Sequence, residues 1–427
     1  MSRASSMATD GRSAAPQRPI IVICPHFKPD TAPTGIVMTR IVDELVTLGH
    51  AVHVVTALPW YRRHAVEPEW IGSWVHVENT SWGSVTRAHP FPGDDKANLL
   101  RRAAGFLAFS MLAVIQGLRA GGWFRKADAV FAMSPPLTLG LTGWIVAKMR
   151  RAPLIFNIQD VFPDAAIDTG AISNPLVIGA ARWLEKISYR AADAVTVLSD
   201  DLRDNVAAKM PAAQGECVHV IPNFVDTTAI VPTDRATNYR TELGLGSGPV
   251  VLYAGNVGFS QSLELVLTAA SALPEVTFLI NGDGAARSTL ESKALGLKNV
   301  RFAGYIEVHR LSELLATGDI HLVPLKAGLG RVSVPSKTYS ILAAARPVVA
   351  AIDKATAVPR ILESASAGIS IPPDDAEALI AALRLLLANP DRCAQMGASG
   401  RRWVETHASP AVVGLAYDRL LRQLRAP

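Results

Sequence analysis

Short apolar runs alternate with longer stretches of helical period along most of the chain. Residues 19–24 form a nearly continuous apolar run rich in isoleucine and valine. A Pro-, Gly- and Thr-rich loop to Gly35 follows, then a helical pattern over 36–48 and the strand-like AVHVVTAL at 51–58. A strand–helix–strand opening predicts a parallel sheet with helices on its faces. Further runs at 129–133, 154–158, 194–198 and 219–221 extend the pattern to about residue 221. After PNFVDTTAIVPT a second series runs through 250–255, 277–282, 300–305, 320–325 and 347–352. Two such series joined by a Pro-containing connection predict an α/β chain of two Rossmann-like doubly wound domains facing a cleft. Ligands in such sheets bind outside the carboxyl ends of the strands. The expected division is a disordered tail over 1–18, a first domain over 19–221, a second over 222–410, and a terminal helix over 411–427 that packs back on the body.

Composition narrows this only a little. The 427 residues are 49% apolar and 19% charged, which suits two buried cores rather than a disordered or fibrous chain. A net charge of +5 permits anionic partners without indicating nucleic acid. The three cysteines, Cys24, Cys217 and Cys393, are far apart and odd in number, so a reduced, cytoplasmic chain is expected. No HExxH and no Asp-x-Asp occurs, so no metal site is expected. The polar first 18 residues lack the apolar core of a signal peptide.

Residues 96–151 carry Lys96, Arg101, Arg102, Arg119, Arg125, Lys126, Lys148, Arg150 and Arg151 against the single acid Asp128. Within them, 103–118 is apolar but shorter than the roughly 20 residues that span a bilayer. With Trp123 nearby it reads either as an interfacial helix on an anionic membrane surface or as a buried helix; both hold if one face docks inward.

Candidate chemistry falls where strands meet helices. Gly35 ends the loop PHFKPDTAPTG at a helix start, where backbone N–H groups favour an anion or a sugar hydroxyl; a plain tight turn is the alternative. In the second domain Gly255, Asn256 and Gly258 follow one strand, and Gly282, Asp283 and Gly284 follow the next. Small residues there let a diphosphate or ribose approach the main chain. GLGSG at 244–248 precedes a strand and reads as a turn. Pro335, Ser336 and Lys337 open a helix, and a lysine at that end calls for a reason such as a bound phosphate, or is simply a solvated surface lysine. Asp160, at the carboxyl end of a buried strand, can hydrogen-bond a sugar hydroxyl or take a proton. Asp164, Asp200 and Asp201 read as helix caps and Asp226 as structural.

Taken together, PHFKPDTAPTG, NIQDVFPD, VIPNFVD, LYAGNVGFSQSLE, INGDG, VRFAGY and VPSKTYSILAAARPVV resemble the GT-B glycosyltransferases of family 4. The likeness is to the fucosaminyl and colanic-acid-type branch of bacterial surface-polysaccharide synthesis. The pieces lie in the family's order from residue 20 to about 405. The resemblance implies a nucleotide-sugar donor (a UDP-sugar favoured over a GDP-sugar) in the second domain, a lipid-linked or glycan acceptor in the first, and retention of configuration. It implies no separate cofactor, and a place on the inner face of the cell membrane. Asn256 and Gly258 would lie near the diphosphate, Gly282 and Tyr305 near the nucleoside, and Lys337 near the phosphates. Gly35 and Asp160 would face the sugar.

Three positions depart from the family. Ser260 and Gln261 stand where an Arg and a Lys are common, Val332 and Ser340 replace a Glu pair, and Gln159 replaces a His. Lys337, with Arg331 as a second cation, is therefore expected to balance the leaving diphosphate, without a metal. A sugar-nucleotide 2-epimerase and a non-catalytic GT-B binding or assembly subunit are the alternative readings.

Overall fold

The computed structural model describes residues 18–63, 65–91, 99–168 and 172–425. Residues 1–17 of the predicted tail over 1–18 lie outside the described residues, as do Lys96 and the side chains of Arg101 and Arg102.

The first domain begins β1 (Ile20–Ile23), α1 (Pro33–Thr47), β2 (Val52–Ala57), β3 (Val75–Thr80) and β4 (Gly83–Ala88). It continues α2 (Leu99–Arg119), β5 (Ala129–Ser134), α3 (Thr138–Arg150), β6 (Leu154–Ile158) and α4 (Asp164–Asp168). It closes with α5 (Pro175–Ala191), β7 (Ala194–Val197), α6 (Asp200–Ala207) and β8 (Val218–Val220). The eight strands form one sheet in the order β3-β4-β2-β1-β5-β6-β7-β8, parallel except for the β3–β4 hairpin at its edge. Seven of these strands are parallel, and the central ones are buried along their whole length, which is why they read as unbroken apolar runs.

The second domain runs α7 (Asn238–Glu242), β9 (Val250–Ala254), α8 (Glu264–Ala272), β10 (Thr277–Asn281), α9 (Arg287–Lys293) and β11 (Val300–Ala303). Then come α10 (Leu311–Thr317), β12 (Ile320–Pro324), α11 (Lys337–Ala343), β13 (Val348–Ala351), α12 (Ala357–Ala365) and β14 (Gly368–Ile371). Its sheet is wholly parallel, in the order β11-β10-β9-β12-β13-β14. Helices α13 (Ala376–Leu387), α14 (Pro390–His407) and α15 (Pro410–Arg425) end the chain.

The two sheets are joined by packing as well as by the linker. One apolar cluster runs from Ile158, Val161 and Leu202 into Leu329, Val332, Val334 and Leu342. Arg360 bridges to Asp201 at 2.5 Å, and Arg40 pairs with Asp226. Asp226 also accepts the Thr228 and Ala229 amides, the structural role expected of it. The aspartates read as caps do otherwise. Ser199, not Asp200 or Asp201, caps α6 by accepting the Leu202 amide. Asp164 opens α4 but gives its carboxylate to Lys209 at 2.6 Å, a short charged contact that wins over a cap.

Helix α15 packs back on the body, as its lack of a following strand predicts, and its partner is the first domain. It lies against α1, where a Cβ on Gly414 would come 2.6 Å from Glu44 Cβ. His50 meets Asp418 at 2.9 Å, and the buried Tyr417 hydroxyl accepts a hydrogen bond from Asn157 Nδ2 at 2.8 Å. Asn157 sits in the middle of the sheet, so removing that acceptor strands a buried donor. Tyr417→Phe is expected to cost about 1–2 kcal/mol, read as a lower urea midpoint for the first domain.

Candidate functional site

The donor-side loops are built by strands that end side by side. β9 and β10 pair through Ala254 and Asn281, and their next residues, Gly255 and Gly282, continue into contact. A Cβ on Gly282 would lie 1.8 Å from the Gly255 carbonyl oxygen, and one on Gly284 would lie 2.5 Å from that of Val257. Both glycines are at positive φ, 146° and 157°. Glycine is thus demanded here by the approach of the two loops to each other. Room for a ligand was the reason expected from sequence; the first requirement is the chain's own.

Gly255 is different: a Cβ there would come 3.0 Å from Lys337 Nζ, so its bareness makes room for the lysine. Asn256 is exposed at the loop tip, while the Gly258 amide donates to Gln261 Oε1 at 3.0 Å. Gln261, where the resemblance implied a base, therefore closes the loop. Asp283 Oδ1 accepts the Gly284 amide at 2.7 Å, and the Tyr305 hydroxyl donates to the Asp283 carbonyl at 3.1 Å. The exposed Tyr305 ring stands at the mouth of this loop pair.

Lys337 is the first residue of α11, with Pro335 and Ser336 leading into it. Its ammonium lies 3.8 Å from the centre of the Tyr253 ring and has no carboxylate partner among the described residues. The residue is half-buried by surface, yet the protein around its tip desolvates the ammonium and pushes its pKa down to about 7. An unpaired cation at this depth is costly, and an anion brought to it would restore its charge. Binding of an anion here should then take up a proton. Between pH 7.5 and 9.5 the affinity for UDP is expected to fall by up to about tenfold per pH unit, read by titration calorimetry.

The first domain faces this point through Asp160. Burial raises the pKa of its carboxyl, and a hydrogen bond from the Ser333 hydroxyl pulls it back. The next amide, Val161, donates to the Val332 carbonyl at 3.4 Å. Asp160 thus touches the segment of the second domain that leads into Lys337, four residues on from Ser333. Val332, where the resemblance implied a glutamate, is buried apolar packing at this junction. Gly35 lies in the first turn of α1, where a Cβ would meet His26 Cβ at 2.8 Å. It presses the helix onto the β1–α1 loop. Arg331 is exposed and makes no ion pair among the described residues, so nothing in the site ties it to the lysine. Tyr253 and Ser333 were not legible as site residues. Tyr253 lies inside an apolar strand and reads as core, and Ser333 sits in a loop without a pattern.

Two family models match the chain. A model of the glycosyl transferase 4-like domain matches residues 34–223, and one of glycosyl transferases group 1 matches residues 248–389. The chain belongs to the family 4 glycosyltransferases. It is 27% identical over 382 residues to the putative colanic acid biosynthesis glycosyl transferase WcaI of Escherichia coli (strain K12), covering 87% of this chain and 92% of that one. In fold the transferase is similar to sucrose-phosphate synthase from Thermosynechococcus elongatus, with a TM-score of 0.76 at 18% identity over 96% of this chain and all of the other. It is also similar to Anabaena HepE in complex with UDP and glucose, with a TM-score of 0.69 at 14% identity, covering 95% of this chain and 100% of that one. These structures share its GT-B architecture.

Proposed function

We propose that the protein is a retaining hexosyltransferase. It moves a sugar from a nucleotide-sugar donor, a UDP-sugar in particular, to a lipid-linked or glycan acceptor of bacterial cell-envelope polysaccharide or glycolipid. The observation that carries this reading is the unpaired Lys337 ammonium beside the Gly255–Gly258 loop. When the bond from the anomeric carbon to the diphosphate breaks, charge accumulates on the leaving oxygens. A fixed cation there stabilises that charge more than it stabilises the ground state. Lys337 supplies it without a metal, in keeping with the absence of Asp-x-Asp from the sequence. Asp160, at the domain junction, is placed to hold a hydroxyl of the sugar in flight. The colanic acid role in the name of the Escherichia coli relative and the UDP bound by HepE support the substrate classes. The test is release of nucleoside diphosphate from a set of nucleotide sugars by the purified protein, with and without bacterial membranes. If none is bound or hydrolysed, the transferase reading fails.

A peripheral place on an anionic membrane is part of the same proposal. No helix among the described residues is long and apolar enough to cross a membrane. Helix α2 buries Phe109 and Ala113 but exposes Leu107, Met111 and Ile115, one residue per turn along a single face. Arg119 lies over the exposed Trp123 ring at 5.5 Å, adding a basic, aromatic end to that face. The protein is expected to float with phosphatidylglycerol vesicles at low salt, and Met111→Glu is expected to reduce the bound fraction. Equal recovery of both proteins would count against this face.

A further inference from the structure

A second set of side chains stands on the first-domain wall of the cleft. At the carboxyl end of β1, His26 Nδ1 lies 2.7 Å from Asp30 Oδ2, and both side chains are largely covered, 12% and 3% exposed. An ionised carboxylate only accepts, so it holds the Nδ1–H tautomer and leaves Nε2 as an acceptor. Nε2 has no hydrogen bond among the described residues. The imidazole is stacked on Trp60, with ring centres 5.5 Å apart and planes 25° apart, so it cannot swing away. Tyr61 meets the same imidazole edge-on at 5.5 Å and 78°. Its own ring is 41% exposed. Tyr61 also stands near enough to Tyr305, on the opposite domain, to help raise that phenol's pKa after burial itself. Because β1 is parallel to its neighbours, the group stands at the carboxyl end of the first sheet, the side on which ligands of such sheets bind. The close fit of Gly35 against His26 fixes the loop from behind.

We propose that His26 and Tyr61 form an acceptor subsite for a pyranose ring, with Asp30 and Trp60 as positioning residues. The proposal rests on the transferase reading and deepens it: the accepting group is a sugar already in place rather than a bare polyprenyl phosphate. A pyranose presents an apolar face of C–H groups and a rim of hydroxyls. The exposed Tyr61 ring suits the first, and a rigid, unpaired imidazole nitrogen suits the second. An isoprenoid phosphate offers apolar surface but no rim of hydroxyls beside it.

The test is saturation-transfer NMR on the full chain with the methyl glycosides of glucose, galactose and mannose, with UDP and with farnesyl phosphate. At least one glycoside should receive saturation through its ring protons. His26→Gln and Tyr61→Ala should each weaken that binding about 3- to 10-fold, the loss of one hydrogen bond or one stacked face, with UDP signals unchanged. Tyr61 lies at the surface, so Tyr61→Ala keeps the test open if His26→Gln disturbs the loop. Unchanged glycoside binding in both variants overturns the subsite. So does glycoside binding absent from a wild-type protein that binds UDP, or farnesyl phosphate that binds and is lost with the same variants. Failure of wild type to bind UDP would instead sink the UDP-sugar reading of the donor on which the proposal rests.

Discussion

Replacing Lys337 with methionine should cut sugar transfer by about 100- to 1,000-fold, the range seen when a fixed donor to developing negative charge is removed. The same change should make the protein more stable at neutral pH. In the folded chain burial holds Lys337 near pKa 7, against its ordinary 10.5. Below about pH 7 the lysine is protonated in both states, and the folded state bears the full cost of the desolvated charge. Between pH 7 and 10.5 the unfolded chain binds more protons, so stability rises with pH across that window. Lys337→Met removes both the cost and the slope. The thiomethyl chain keeps most of the packing against Tyr253, so loss of activity will not come from unfolding. Urea unfolding at pH 6.5 and 9.5, set beside kcat/KM for the best donor, reads both effects. Near-normal turnover in the variant would remove the lysine from its role. A stable but inactive enzyme is the expected trade between stability and a charged site.

Gly282→Ala should be the most destructive single methyl group in the second domain. Its Cβ would fall 1.8 Å from the Gly255 carbonyl oxygen and 2.8 Å from the carbonyl carbon, both backbone atoms at the ends of paired strands. Neither can move without breaking the β9–β10 register. The residue is also at φ 146°, where an L side chain is strained. The expected cost is above about 4 kcal/mol, seen as insoluble protein or loss of the cooperative transition. Gly258→Ala is the control. There the new atom meets the side-chain tips of Asn256 at 2.6 Å and Gln261 at 2.9 Å, which can turn aside. That variant should fold, with donor affinity weakened as the loop reorganises.

The parallel strands were legible because burial on both faces writes them as unbroken apolar runs, as in IIVI and VVLYA. The β3–β4 hairpin was not. β3 is an exposed edge strand, HVENT after Val75, whose polar positions carry no core signal. β14, GISI, was missed because only one of its four positions is buried, so it writes no apolar run. Helix α15 was legible as a returning element, but its partner was not, because contacts such as Asn157 with Tyr417 join residues far apart in sequence. Within the site, Lys337 stood out as a cation where a helix starts. What makes it unusual, the Tyr253 ring and the space above Gly255, depends on three segments meeting. Asp160 was found from its place after β6, whereas its partner Ser333 comes from the other domain. Arg331, expected as a second cation, is exposed in the turn before α11.

The most direct measurement is the thermal stability of wild type and Lys337→Met against a panel of UDP- and GDP-sugars at pH 7. A ligand present at about 100 times its Kd stabilises by about 2.7 kcal/mol. At least one nucleotide sugar, a UDP-sugar by this reading, should raise the wild-type midpoint by several degrees and the variant's by much less. No shift with any nucleotide sugar, or equal shifts in the two proteins, would contradict a donor site built on this lysine.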